Sequence, residues 1–130
     1  MAAVYLDTSA IGRVLLGEPD APAVLRSLGD FDQHVASRLL RVELRRLALR
    51  EGVLDDADLL LNGIALIPLD DVALASAEAI PPSSVATLDA IHLATAVRLA
   101  ASGVLETVMT YDARLAAGAR EHGLQVLAPG

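Results

Sequence analysis

The chain has 130 residues, of which 54% are apolar, 21% charged and 2% aromatic, with 10 basic and 17 acidic side chains and no cysteine. A chain of this length can build a hydrophobic core without disulfides or a structural metal, so we predict a single domain over residues 1–130. The lack of cysteine excludes a disulfide framework and a thiolate site. The formal net charge of −7 argues against a broad basic face for nucleic acid.

All ten basic residues are arginine, which excludes a P-loop lysine and a Schiff-base lysine. The longest charge-free run, residues 59–69, is far shorter than the roughly 20 apolar residues that a membrane span needs. No basic segment precedes the first apolar stretch, so we expect no export signal and no membrane association. The expected location is the cytoplasm.

Short apolar runs alternate with longer stretches of helical period, a pattern typical of α/β units on a parallel sheet. The predicted strands cover residues 4–6, 34–36, 65–67, 107–110 and 125–127. The predicted helices cover about residues 9–16, 21–28, 38–51, 55–62, 71–79, 88–101 and 113–121. Three predicted helix ends carry glycine and three predicted starts carry a capping residue: Gly52, Gly103 and Gly123, and Asp70, Thr87 and Asp112.

Two acidic residues lie at the ends of predicted strands. Asp7 follows the first strand and Asp112 follows the fourth. The carboxyl ends of parallel strands form the edge at which open α/β sheets bind ligands. Both residues also precede predicted helices, where an aspartate accepts backbone N–H bonds, so helix capping is the competing interpretation of each.

Two further acidic residues lie on predicted helices. Asp89 falls in the first turn of a helix for which Thr87 is the expected cap, and an acid there is also favoured by the helix dipole alone. Glu43 shares a helical stripe with two leucines at spacings of three and four. A core-facing carboxylate needs a partner. The alternative is that Glu43 lies at the edge of the stripe and reaches water, Arg46 or Arg50.

A pocket that collects these carboxylates needs a counter-charge. Two carboxylates about 5 Å apart repel by about 3 kcal/mol at an effective dielectric near 20. Such a pocket therefore takes up protons or binds a cation. Without thiolates, and with histidines outside ligand spacing, the favoured cation is Mg²⁺ or Mn²⁺ rather than Zn²⁺. Enzymes that catalyse phosphoryl transfer commonly use a magnesium ion bound by oxygen ligands.

Four segments, taken in order and spacing, resemble one known family over nearly the whole chain. They are YLDTSA at residues 5–10, RVEL at 41–44, LDAIHLATA at 88–96 and TYDARLA at 110–116. On these residues the chain is similar to the PIN-domain ribonucleases of the VapC type, the toxin half of bacterial toxin–antitoxin pairs. The resemblance implies a three-layer α/β fold with a central parallel sheet of about five strands, in the order 3-2-1-4-5, flanked by about seven helices.

The resemblance also implies a site and an activity. Its acidic quartet corresponds to Asp7, Glu43, Asp89 and Asp112, which would bind Mg²⁺, with Mn²⁺ as a substitute, for endonucleolytic cleavage of RNA by an activated water. We expect Asp7 and Asp89 to be the main ligands, with Glu43 and Asp112 as ligands or as residues that position metal-bound water. The hydroxyls expected to support this shell, each with a capping role as the alternative, are Thr8, Ser9 and Thr110.

Substrate binding is less visible in the sequence. Arg13, Arg38, Arg41 and Arg45 are candidates for binding phosphates, although a solvated surface stripe is the favoured interpretation of the last three. We interpret His92 as a packed core histidine and assign it no role as a base.

Partners are indicated by the mean hydropathy of +0.50, which suggests more apolar surface than one sheet buries. The resemblance implies two partners, which are a second copy of the chain in a homodimer and a VapB-type antitoxin. Together they would form a heterotetramer or a larger assembly.

Other interpretations remain. A PIN-like protein-binding module without activity would keep the fold, and a PIN nuclease of general RNA processing would keep the chemistry. An aspartyl-phosphate protein would share Asp7, but the absence of lysine and the serine at position 9 disfavour it.

Overall fold

The computed structural model describes residues 2–130 and contains a five-stranded sheet in which all pairs of neighbouring strands are parallel. The strands are β1 (Ala3–Leu6), β2 (Gln33–Ser37), β3 (Ala65–Ile67), β4 (Leu105–Met109) and β5 (Gln125–Leu127). Their order across the sheet is β3-β2-β1-β4-β5, which confirms the predicted fold class and topology. Strand β4 ends one residue earlier than predicted, which places Thr110 in the loop that follows it.

Helices connect the strands. They are α1 (Thr8–Leu15), α2 (Ala21–Leu28), α3 (Arg38–Glu51), α4 (Leu54–Leu61), α5 (Asp71–Ala79), α6 (Thr87–Ala101) and α7 (Ala113–Glu121). The prediction that Thr87 caps α6 was wrong. Thr87 is the first helical residue, because extended Ala86 already takes the N-cap position and its carbonyl accepts the Ala90 N–H at 2.8 Å.

The sheet separates two hydrophobic clusters. Alternate residues of β1 point to opposite faces, so Val4 and Leu6 pack with helices α1 to α4 while Ala3 and Tyr5 pack with α6 and α7. All four residues of β1 are buried because it is the central strand of a three-layer structure.

Helix α6 is enclosed along its middle. Residues 90–96 are all buried, and three of the seven are alanines, whose small side chains let α6 lie close to its neighbours. Helix α5 packs along its outer side, while α7, β2 and β4 also contact it. This packing fixes the first turn of α6 at the carboxyl edge of the sheet.

The chain leaves β1 and β4 in opposite directions across the sheet. From β1 it passes to β2 and β3, whereas from β4 it passes to β5. This is the topological switch point at which open α/β sheets form a ligand-binding crevice. The backbone N–H of Asp7 reaches the carbonyl of Met109 at 3.1 Å, so β1 and β4 remain paired up to that crevice.

None of the helices within residues 2–130 combines the length and the hydrophobicity that a bilayer crossing requires. Large apolar side chains nevertheless remain at the surface, including Leu59 with 72% and Val72 with 60% of its surface exposed.

Two leucines on α3 test the assignment of its buried face. Leu44 is fully buried, whereas Leu49 is 55% exposed. We expect Leu44→Ala to lower the free energy of unfolding by about 2–5 kcal/mol, because it leaves a cavity in the core. Leu49→Ala should change it by less than about 0.5 kcal/mol. Urea unfolding measures both, and similar losses in the two variants would contradict the assigned face.

Candidate active site

Asp7 follows β1 at the switch point and is buried, with 4% of its surface exposed. It occupies the N-cap position of α1 but makes no side-chain capping bond, so the capping interpretation of Asp7 was wrong. Instead, Oδ2 accepts hydrogen bonds from the hydroxyl of Ser9 at 2.6 Å and that of Thr110 at 2.7 Å. These donors hold the carboxylate in place at the sheet edge.

The same two hydroxyls tie the loops after β1 and β4 together. Ser9 Oγ accepts the backbone N–H of Tyr111 at 2.9 Å, and Thr110 Oγ1 accepts that of Asp112 at 3.0 Å. Because each hydroxyl has one hydrogen and each accepts an amide, the hydrogen is available for Asp7. The hydroxyls of Ser9 and Thr110 thus contact Asp7 rather than capping a helix.

Glu43 lies on α3, which follows β2, and its side chain reaches the same edge of the sheet as Asp7. Its Oε1 accepts hydrogen bonds from Thr8 Oγ1 and from His92 Nε2, both at 2.7 Å. Burial raises the pKa of Glu43, but the bonds from His92 and Thr8 outweigh it and the net pKa is lowered. Glu43 therefore contacts Thr8 and His92 rather than Arg46 or Arg50.

Asp89 lies in the first turn of α6, and its pKa is raised by the negative charge of the cleft. Burial raises its pKa, and the charges of Asp7, Asp112 and Glu43 raise it further, to about 6, against a smaller opposing effect of His92. The charges of three acidic residues that are distant in sequence and lie on different elements therefore raise the pKa of Asp89.

Asp112 has a second, local role. Its Oδ1 accepts the backbone N–H of Leu115 at 2.8 Å, so the capping interpretation is confirmed for this residue. Its charge also contributes to the raised pKa of Asp89. Capping and a place in the acidic cleft are thus compatible for Asp112.

His92 is fully buried, as expected of a core histidine, but it is also part of the polar network. Its Nδ1 lies 2.7 Å from the hydroxyl of Tyr5, and its Nε2 lies 2.7 Å from Glu43 Oε1 and 3.8 Å from Asp7 Oδ1. The sequence offered one signal for this position, since His92 follows Asp89 by three residues on the same helical face.

Two of the four candidate phosphate-binding arginines are engaged elsewhere. Arg13 pairs with Asp20 at 3.1 Å, and its guanidinium lies 3.8 Å above the ring centre of Tyr111. Arg45 forms an ion pair with Asp58, whose pKa the hydrogen bond from Arg45 lowers. The other two, Arg38 and Arg41, form no ion pair within residues 2–130.

The donor set fits a hydrated hard cation. Over the described residues 2–130, no three histidine, aspartate or glutamate side chains are close enough together to enclose one ion. Magnesium does not need such a cage, because it commonly keeps several waters and binds through one or two carboxylates. The carboxylates whose charges raise the pKa of Asp89 suit a cation that binds through one or two of them and keeps its waters.

Comparison with known proteins places this chain in a family. Residues 4–121 match the PIN domain. The chain belongs to the PIN-domain family. It is 37% identical to Ribonuclease VapC47 and 38% identical to Ribonuclease VapC46, both of Mycobacterium tuberculosis. These alignments cover 98% and 99% of this chain, and 97% and 99% of the relatives. Ribonuclease VapC35 of the same species is 35% identical over 98% of this PIN protein.

The raised pKa of Asp89 tests whether the acidic residues converge. In the metal-free protein, we expect the Asp89 carboxyl to titrate at about pH 6 in carbon-detected NMR spectra. Asp112→Asn should lower the pKa of Asp89, because it removes one of the charges that raise it. An unchanged pKa of Asp89 in that variant would show that Asp112 does not face it.

The same shift predicts how stability depends on pH. A carboxyl whose folded-state pKa is raised loses its stabilising contribution as pH rises from its ordinary value of 3.8 through about 6. Asp89→Asn should therefore raise the melting temperature of the metal-free protein at pH 8 by a few degrees, with little change at pH 4. A lower melting temperature at pH 8 would contradict the predicted repulsion.

Proposed function

We propose that this protein is a Mg²⁺-dependent endoribonuclease, with Mn²⁺ as a substitute, and that it is the toxin of a VapBC-type toxin–antitoxin pair. The observation that carries the proposal is the placement of the hydrogen-bonded carboxylates of Asp7 and Glu43 at the switch point of the sheet. The charges of Asp7, Asp112 and Glu43 also raise the pKa of Asp89. Membership of the PIN family and similarity to proteins named ribonucleases support RNA as the substrate.

The proposed ligands are Asp7 and Asp89, with Glu43 and Asp112 holding ligand waters or binding directly. When bound, the cation would neutralise charge on the phosphoryl oxygens and make a water more acidic. Ser9 and Thr110 both donate to Oδ2 of Asp7, which fixes the direction of its other oxygen. Both donors to Glu43 meet Oε1, which leaves Oε2 to accept a hydrogen bond from a water in the cleft.

Similarity to the PIN-domain ribonucleases implies hydrolysis of a phosphodiester bond. The water oxygen bonds to phosphorus and its proton passes to solvent, the bond from phosphorus to the ribose 3′ oxygen breaks, and the leaving oxygen takes up a proton from solvent. The products would carry 5′-phosphate and 3′-hydroxyl ends. Ionised Glu43, whose pKa is lowered by its hydrogen bonds, suits the role of a residue that orients the attacking water.

We propose that RNA reaches the cleft along α3. Arg38 directly follows Ser37 at the carboxyl end of β2, so it lies at the same edge of the sheet as Asp7. Arg38 and Arg41 line an open depression of about 380 Å³ together with Arg45 and Arg46. Apart from Arg45, which is paired with Asp58, these side chains supply a local positive surface on a chain of negative net charge.

We also propose that this protein forms a homodimer and binds a VapB-type antitoxin, as a heterotetramer or a larger assembly. The exposed apolar side chains of several helices support a further partner surface. An acidic cleft would also attract a basic side chain of an antitoxin.

Removal of one proposed ligand tests the activity. Asp7→Asn should reduce cleavage of a structured RNA in Mg²⁺ at least 100-fold, because it removes a charge that would hold the cation. EDTA should have the same effect on the unchanged protein, and excess Mg²⁺ should reverse it. Gel analysis of end-labelled RNA measures the cleavage and identifies the terminal groups.

Circular dichroism and thermal unfolding should show that Asp7→Asn is folded. Retained cleavage in the folded variant would reject the role of Asp7, and cleavage in EDTA would reject the metal requirement. Cleavage of RNA in vitro without growth arrest on expression would favour general RNA processing over a toxin.

The arginines of α3 should affect binding more than chemistry. We expect the double variant of Arg38→Ala and Arg41→Ala to raise KM for RNA roughly tenfold, corresponding to about 1.4 kcal/mol, with little change in kcat. The matched control is Arg120→Ala, because this exposed arginine lies at the end of α7 away from the cleft. Equal effects of the double variant and the control on KM would contradict the proposed path.

A further inference from the structure

A chain of hydrogen bonds runs through the core to the acidic cleft. The backbone N–H of Ser37 donates to the hydroxyl of Tyr5 at 2.9 Å. The Tyr5 hydroxyl lies 2.7 Å from His92 Nδ1, and His92 Nε2 lies 2.7 Å from Glu43 Oε1. Tyr5 and His92 both have 0% of their surface exposed, so water does not compete for these bonds.

The donor and acceptor in each of these hydrogen bonds follow from the two ends of the row. The backbone N–H of Ser37 can only donate, so it occupies an acceptor site of the Tyr5 oxygen. The Tyr5 hydrogen is then available for His92 Nδ1. At the other end the Glu43 carboxylate can only accept, so His92 Nε2 must carry a hydrogen.

The four hydrogen-bonded groups come from four different elements, which makes this row of hydrogen bonds rigid. Ser37 ends β2, Tyr5 lies on β1, His92 on α6 and Glu43 on α3. The Tyr5 and His92 rings also meet edge to face, with centres 5.8 Å apart and an angle of 72° between planes. The histidine ring therefore cannot turn without breaking contacts on both sides.

We propose that Tyr5 and His92 are positioning residues that aim the carboxylate of Glu43 into the cleft. This inference rests on the proposed nuclease function for its effect on activity, but the hydrogen-bond chain itself can be tested without RNA. His92 fixes Oε1 of Glu43, and Tyr5 fixes the ring of His92. Such outer residues commonly contribute 10- to 100-fold to metal affinity or activity.

The first experiment compares two substitutions of the histidine. Glutamine can place an N–H donor near the position of Nε2, whereas leucine fills similar space without a donor. We expect His92→Leu to lower kcat for RNA cleavage 10- to 100-fold and His92→Gln to recover most of that loss. Equal losses in both folded variants would overturn the proposal, because packing alone would then explain them.

A double-mutant cycle shows whether His92 acts through Glu43. If it does, His92→Leu should cause little further loss when it is added to Glu43→Gln. Multiplied losses in the double variant would overturn the coupling. The matched control is His34→Leu, since His34 is a histidine whose Nε2 bonds the carbonyl of Leu28 rather than an acidic side chain. This control should leave kcat unchanged.

The second readout uses the metal-free protein and no RNA. Nitrogen-15 NMR of the histidine rings should show a hydrogen on His92 Nε2 in the unchanged protein. The carbon signal of the Glu43 carboxyl should shift in His92→Leu and return toward its original position in His92→Gln. A hydrogen-free Nε2, or a Glu43 signal insensitive to both substitutions, would overturn the proposal.

The two readouts separate this inference from the proposed function. If the unchanged protein cleaves no RNA but its NMR spectra behave as expected, the nuclease function fails and the positioning of Glu43 stands. If the unchanged protein cleaves RNA and the His92 variants keep full activity, the function stands and the positioning fails. Tyr5→Phe, which removes only the hydroxyl, covers the case in which His92→Leu does not fold.

Discussion

The structure depends on holding several negative charges close together at one edge of a sheet. Burial and the charges of Asp7, Asp112 and Glu43 raise the pKa of Asp89, because they all act against its ionisation. Repulsion of this kind destabilises the metal-free fold at neutral pH. The surrounding protein offsets it with donors, namely two hydroxyls on Asp7 and a hydroxyl with an imidazole on Glu43.

The architecture explains how those donors reach the carboxylates. The switch point brings the end of β1 beside the end of β4, so that Thr110 can donate to Asp7 across 103 positions of sequence. The enclosed helix α6 carries both Asp89 and His92 to the same edge, while α3 brings Glu43 from the other side of the sheet. The core thus positions the acidic cleft, and each acidic residue would be an ordinary surface or capping residue without it.

The sequence predicted the regular elements well because their periods are local properties. Alternating strand and helix patterns fixed all five strands to within about two residues at either end. Local patterns could not separate Asp7 from Asp112, since both follow a strand and precede a helix. Only Asp112 caps its helix; the donors to Asp7 include Thr110, which no local pattern places beside it.

The roles of His92 and of the arginines were hidden for the same reason. A histidine on a buried helix has the same pattern whether it packs against leucines or bonds a tyrosine and a glutamate. In the sequence, Arg13 and Arg45 look like free phosphate-binding groups. In the fold, Arg13 contacts Asp20 and Tyr111, and Arg45 pairs with Asp58. Long-range contacts decide both cases, and periodicity carries no information about them.

We propose that the carboxylates of the cleft bind one divalent cation together. Titration calorimetry of Mn²⁺ into the metal-free protein at pH 7.5 tests this proposal. We expect saturable binding in the unchanged protein and its loss in a folded variant that combines Asp7→Asn and Asp89→Asn. Absence of binding in the unchanged protein, or equal binding in both proteins, would contradict the proposal.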